Sequence, residues 1–194
     1  MNRLAMAVAA AMALAWAASA DEGKNLLANP SFEDLAEGKT PAWAAAWSPT
    51  TYKGAEAVFA VDEKVFHSGK RSMSITTAKA GSFAGVESRP AAVQVEEGAR
   101  MRVTVWIRAE DTKGAVILVG SSDTQRQFQW TQAFSFEGPF DWKPFTAVIP
   151  LRAGVKKVYL SLRQSNEGKV WFDDAEAVLL KPGEDAEGGK KKVE

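Results

Sequence analysis

Met101-Arg102-Val103-Thr104-Val105-Trp106-Ile107-Arg108-Ala109 alternates without a break. Met101, Val103, Val105, Ile107 and Ala109 fall on one side. Arg102, Thr104, Trp106 and Arg108 fall on the other. Successive side chains of a strand point to opposite faces, so a period of two marks a strand with one buried face. A helix would scatter both sets around its axis.

The same reading extends outward from this run. Residues 155–164 put Val158, Leu160 and Leu162 on one face and Tyr159, Ser161 and Arg163 on the other. Residues 128–136 set Phe128, Trp130, Phe134 and Phe136 on one face. Further short strands are expected at 25–29, 55–61, 72–77, 91–95, 115–120, 142–151 and 169–180. Loops are expected at 34–41 and 80–85, and Asn166-Glu167-Gly168 reads as a hairpin-like turn. About nine or ten short strands with almost no helical periodicity imply an all-β sandwich of two antiparallel sheets. A parallel sheet would need amphipathic helical stretches of about 10–15 residues between strands, and none is present.

The two ends of the chain differ from this body. Arg3 opens a short basic start, Leu4 to Ala18 is apolar, and Ala18-Ser19-Ala20 is a small-x-small cleavage signal. Residues 1–20 read as a secretory signal peptide, because the apolar run falls short of the roughly 20 residues a membrane span needs. Export to the medium, the periplasm or the cell surface follows. A single domain is expected over 24–181. Residues 182–194 are charged and have little to bury, so disorder is expected there.

The chain carries 24 Lys+Arg and 24 Asp+Glu, for a formal net charge of zero. Loss of Arg3 with the signal leaves one more acidic than basic residue. That balance argues against a nucleic-acid or anionic-membrane partner. There is no cysteine, which excludes disulfides, a thiol nucleophile and thiolate zinc sites. His67 is the only histidine, so a His-rich metal centre is excluded too.

Five segments, in order, resemble the landmarks of CenC-like carbohydrate-binding modules (families 4, 9, 16 and 22). They are Asn25-Leu26-Leu27-Ala28-Asn29-Pro30-Ser31-Phe32-Glu33, the run from His67 to Ile75, the run from Val103 to Ala109, Trp142-Lys143-Pro144-Phe145, and Val170-Trp171-Phe172-Asp173-Asp174. The resemblance covers nearly all of residues 25–180. It implies a jelly roll of galactose-binding-domain-like fold, and carbohydrate as partner.

Carboxylates stand near both ends of the domain, at Glu33 and at Asp173 and Asp174. That placement is what first and last strands sharing a cation would show. The resemblance implies a structural calcium, with Glu33 and Asp174 giving carboxylates and the turn from Ser68 to Lys70 giving carbonyls. Calcium takes six to eight oxygens. In a regular strand only one of Asp173 and Asp174 points to the site, and Asp174 is favoured.

Sugar rings stack on aromatic faces while their hydroxyls pair with planar polar side chains. Arg102, Trp106 and Arg108 share the outward side of one strand. Tyr159 and Arg163 share that of another, with Gln129 nearby. If both strands belong to one concave sheet, these residues line one groove that takes a poly- or oligosaccharide. The opposing expectation is that a loop covers Trp106, leaving a structural or protein-interaction domain of the cell envelope. Glu56, Glu63, Glu87, Glu110, Asp111 and Asp123 stand in no recognisable catalytic motif, so no enzyme activity is expected.

Overall fold

The computed structural model describes residues 23–184, apart from positions 53, 82 and 126. The expected signal peptide lies outside the described residues, as do tail residues 185–194. Among the described residues no helix is long and apolar enough to cross a membrane.

Eleven strands follow in order: β1 Trp47–Tyr52, β2 Ala57–Asp62, β3 Ser72–Thr77, β4 Phe83–Ser88, β5 Ala91–Ala92, β6 Arg100–Glu110, β7 Ala115–Ser122, β8 Phe128–Phe136, β9 Phe140–Pro150, β10 Lys157–Gln164 and β11 Gly168–Leu180. They form two antiparallel sheets. The front sheet runs β1-β4-β10-β7-β8, with β5 beside β10, and the back sheet runs β2-β3-β11-β6-β9. This is the β-sandwich the alternation called for, in the jelly-roll form the resemblance implied.

The core is the meeting of the inward rows. Met101, Val103, Val105 and Ile107 of β6 are buried, as are Val158, Leu160 and Leu162 of β10 and Met73 and Ile75 of β3. Each such side chain contributes about 1.5–3 kcal/mol by leaving water.

Three local departures from the sequence pattern matter. First, β1 and β4 stand where no strand was expected. Gly81 and Gly85 gave 80–85 the look of a loop, yet β4 is a central strand of the front sheet. Second, β8 slips against β7. Ile117 pairs with Phe134 but Leu118 pairs with Gln132, so Ala133 is an extra residue. One extra residue reverses every later side chain. Phe128 and Trp130 therefore face outward, while Phe134 and Phe136 turn inward onto Phe145 at 5.5 and 5.2 Å. Third, residues 25–29 form no strand. They lie along β11 through Leu26 N–H to the Ala177 carbonyl and through Asn25, whose amide bonds Ala175 and Ala177.

Residues 182–184 are ordered as well, beyond the expected domain boundary at 181. The Glu184 carboxylate accepts the Lys181 N–H and its carbonyl accepts from Arg100.

Asn29 to Phe32 closes one end of the sandwich. Asn29 has φ of 51°, a left-handed conformation that asparagine tolerates. Its side chain accepts the Asp34 N–H and donates to the Asp34 and Ala45 carbonyls. Its own carbonyl accepts the Trp47 indole N–H. Phe32 also has positive φ, 58°, and is fully buried 4.8 Å from the Trp47 ring. Phe32→Ala leaves a cavity and should cost about 3–5 kcal/mol, read as a lowered urea midpoint. An unchanged midpoint would place this plug outside the cooperative core.

Candidate ligand-binding face

The outward side of the front sheet carries a connected aromatic strip. Tyr52 of β1 stacks on Phe83 of β4 at 5.3 Å. The Arg163 guanidinium of β10 lies 4.5 Å from the Phe83 ring and 4.4 Å from the Trp130 ring. Trp130 of β8 meets Tyr159 edge-on at 5.0 Å, and Phe128 stacks on Tyr159 at 5.7 Å. Tyr52 and Phe128 remain 54% and 47% exposed.

Two glycines make the floor of this strip. A Cβ at Gly120 would fall 2.3 Å from Tyr159 Cζ, so the phenol ring lies flat across the β7 backbone. A Cβ at Gly85 would fall 2.8 Å from Arg163 Cγ. Glycine within a strand marks such a close approach. The result is a shallow surface of rings, with few side chains rising above it.

Polar groups are set into it. Arg163 Nε donates to Ser161 Oγ at 2.8 Å, and its Nη2 reaches Glu87 Oε1 at 3.4 Å. Burial lowers the pKa of Arg163, and Glu87 opposes that effect. Burial pushes the Tyr159 hydroxyl up to about 12, with Glu87 adding to the shift. Tyr159 therefore stays a protonated donor across the physiological range. A hollow lined by Ser48, Glu87, Ser88, Arg89 and Pro90 opens beside Tyr159.

The single groove expected from the sequence does not form. Tyr159 and Arg163 belong to the front sheet, whereas Arg102, Trp106 and Arg108 belong to the back sheet and face the other way. Gln129 pairs with Ser121 in the inward phase at the edge of the front sheet, so it leaves the strip. Arg102 pairs with Glu176 at 3.1 Å, and Arg108 lies over Trp171 at 5.5 Å beside Asp141. Trp106 is covered: the His67 ring stacks on it at 3.6 Å, 16° from parallel. The loop after β2 thus occupies the surface a sugar would need.

Glu33, Ser68, Lys70, Asp173 and Asp174 do come together, but as a hydrogen-bonded clamp. Glu33 Oε1 accepts the Lys70 and Arg71 N–H groups at 2.7 and 2.9 Å. Asp173 Oδ2 accepts those of His67 and Ser68, and its Oδ1 accepts that of Asp174. Asp174 Oδ2 meets His67 Nδ1 at 2.7 Å and its Oδ1 accepts the Ser68 hydroxyl. Both aspartates reach the same loop because β11 bulges between Asp173 and Glu176, with Asp174 at φ of 42°. The regular strand that would have separated them is absent. Among the described residues no group of three or more His, Asp or Glu side chains could hold a metal ion. Binding calcium here would require these carboxylates to exchange N–H and O–H partners for the ion.

Of the residues in this strip, the sequence singled out Tyr159 and Arg163 and not Trp130, Phe128, Phe83, Tyr52 or Glu87. The available signal was glycine inside two strands, at positions 85 and 120. Trp43 and Trp47 are structural: Trp47 is buried and Trp43 donates to its carbonyl.

The fold is that of carbohydrate-binding modules. The CBM22-1 xylan-binding domain from Paenibacillus barcinonensis Xyn10C matches with a TM-score of 0.54 and 14% identity, over 78% of this chain and 92% of that one. The CBM22-1–GH10 modules of Clostridium thermocellum xylanase 10B, solved with xylohexaose, match at 0.55 and 13%, over 79% of this chain. The enzymatically active domain of tailspike protein 4 from bacteriophage CBA120 matches at 0.56 and 14%, over 80%. This chain spans 21% of the tailspike chain and 27% of the xylanase chain. No family model matches the chain, and no curated protein matches it in sequence.

Two outcomes are expected for the clamp. Melting temperatures in EDTA and in added calcium should coincide, and a calcium-dependent rise would restore a metal to this site. Asp173 is fully buried, and burial pushes its pKa up to about 6. The folded protein then holds this proton more tightly than the unfolded chain. Stability from this group is present below about pH 4 and is lost as pH rises to 6, by ~2–3 kcal/mol. Asp173→Asn should flatten that part of the stability–pH curve, measured by denaturation from pH 4 to 7. An unaltered slope would assign it to other groups.

Proposed function

We propose that this chain is an exported, non-catalytic carbohydrate-binding module. In this reading it holds a poly- or oligosaccharide on the outward side of the front sheet. The observation that carries the reading is the aromatic strip laid flat over Gly85 and Gly120. Pyranose rings offer apolar C–H faces that rest on such rings, while Tyr159, Glu87 and Arg163 lie within the same surface to meet hydroxyls. The fold shared with xylan-binding modules supports this. The strip crosses from β1 to β8, and four strand spacings of about 4.8 Å give a track of about 19 Å. That length suits a chain of several rings more than a single sugar.

Trp130 is the central anchor and Trp106 is not. Trp130→Ala should weaken glycan binding by about 2 kcal/mol or more, as loss of an aromatic hot spot does, with the melt nearly unchanged. Trp106→Ala should lower the melting temperature through loss of the His67 stack and leave glycan affinity as it was. Calorimetric titration and a thermal melt on both variants check this. The reverse pattern would move the site to the back sheet. Wild type silent on a broad glycan panel would favour a structural or protein-interaction domain.

A further inference from the structure

We propose that Glu87 sets the charge class of the ligand. By neutralising Arg163 it fits the front face to uncharged glycans and against uronic-acid or sulfated ones. This rests on the carbohydrate-binding reading above.

Arg163 is the cation at the centre of the strip. A guanidinium in that place is the natural receptor for a carboxylate or sulfate, which it takes through paired N–H bonds. Here two of its nitrogens and both of its faces are already engaged. Nε is held by Ser161 Oγ, Nη2 reaches Glu87 Oε1, and the rings of Phe83 and Trp130 flank the group. Its side chain is only 12% exposed. A sugar carboxylate approaching it would also approach Glu87, and like charges sharing one site repel.

Glu87 is placed for this by register. It pairs directly with Ser161 across β4 and β10, two residues from Arg163 on the same outward row. Ser161 and Arg163 both use its Oε1, at 3.4 Å each. These contacts leave Oε2 to accept a sugar hydroxyl. Tyr159 stands on the same strand as a donor. The surface thus offers acceptors and donors to neutral hydroxyls, with no uncompensated positive charge at its centre among the described residues. Lys157 and Arg89 are exposed and stand at the β5 edge, beyond Tyr159.

The test is a matched pair of oligosaccharide panels, one neutral (xylo-, gluco- and manno-oligosaccharides) and one acidic (oligogalacturonate and sulfated oligosaccharides). Both are titrated at low and high salt against wild type, Glu87→Gln and the double variant Glu87→Gln/Arg163→Gln. Wild type is expected to bind within the neutral panel and to ignore the acidic one. Glu87→Gln keeps the shape, frees Arg163, and should gain at least about tenfold in affinity for acidic ligands, a gain that high salt erases. The double variant should lack that gain. Wild type binding both panels alike overturns the proposal, whether or not the variants fold. So does a Glu87→Gln variant, folded by its melt, with the same panel preference as wild type. Wild type binding neither panel instead sinks the carbohydrate reading itself, and this proposal with it.

Discussion

The bulge in β11 is the constraint on which the rest of this structure depends. β11 is the longest strand, at 13 residues, and it runs between β3 and β6 in the back sheet. Its pairing with β6 breaks between Asp173 and Glu176. The break frees the Ala175 N–H, which is taken by the Pro30 carbonyl. It also turns two adjacent carboxylates toward one loop. The N-terminal segment and residues 67–71 are both fastened there. An unpaired buried carbonyl or N–H is costly, so a bulge persists only where something satisfies it. Here the chain's own start does so, and the sandwich end is closed by Phe32 and Trp47 as a result.

That arrangement decides which face is open. The loop held by Asp173 and Asp174 carries His67 onto Trp106, and Trp142 lies 5.9 Å from the same histidine. The outward aromatics of the back sheet therefore have partners from their own chain. Trp171, on the same side, is buried with its indole N–H on Asp62. Among the described residues the front sheet has no comparable cover: Tyr52 and Phe128 stay about half exposed. Two sheets with equally aromatic outer sides thus end in different states, one packed and one accessible.

The fold was legible because the alternation in β6 and β10 is unbroken, and period two admits one reading. β3 and β8 were found with their bounds. The site was less legible, for a physical reason. Which strands share a sheet is a long-range fact that no local pattern carries, so β6 and β10 were assigned to one surface when they belong to two. Trp130 was hidden by Ala133, since an extra residue changes which face a side chain serves without altering composition. Gly85 read as turn punctuation because glycine signals a loop far more often than a strand pressed by an arginine stem. The clamp residues were found as a group, since Glu33, Ser68, Lys70, Asp173 and Asp174 do converge. The hydrogen bonds among them were not legible, because which N–H groups a carboxylate meets depends on where the backbone of the loop points.

The same logic explains why a flat surface is achieved with so few residues. A phenol ring laid over a strand needs its neighbour to have no Cβ, and an arginine stem laid over the next strand needs the same. Gly120 and Gly85 supply both, at the usual cost of glycine in a strand. Burial of the Arg163 stem and the ring stack around it offsets that cost, since a guanidinium held between two aromatic faces gains from both. The floor and the polar centre are therefore one construction. A larger residue at either glycine would raise Tyr159 or Arg163 out of plane. In the case of Arg163, it would also part the guanidinium from Glu87 and Ser161, so shape and charge on this face change together.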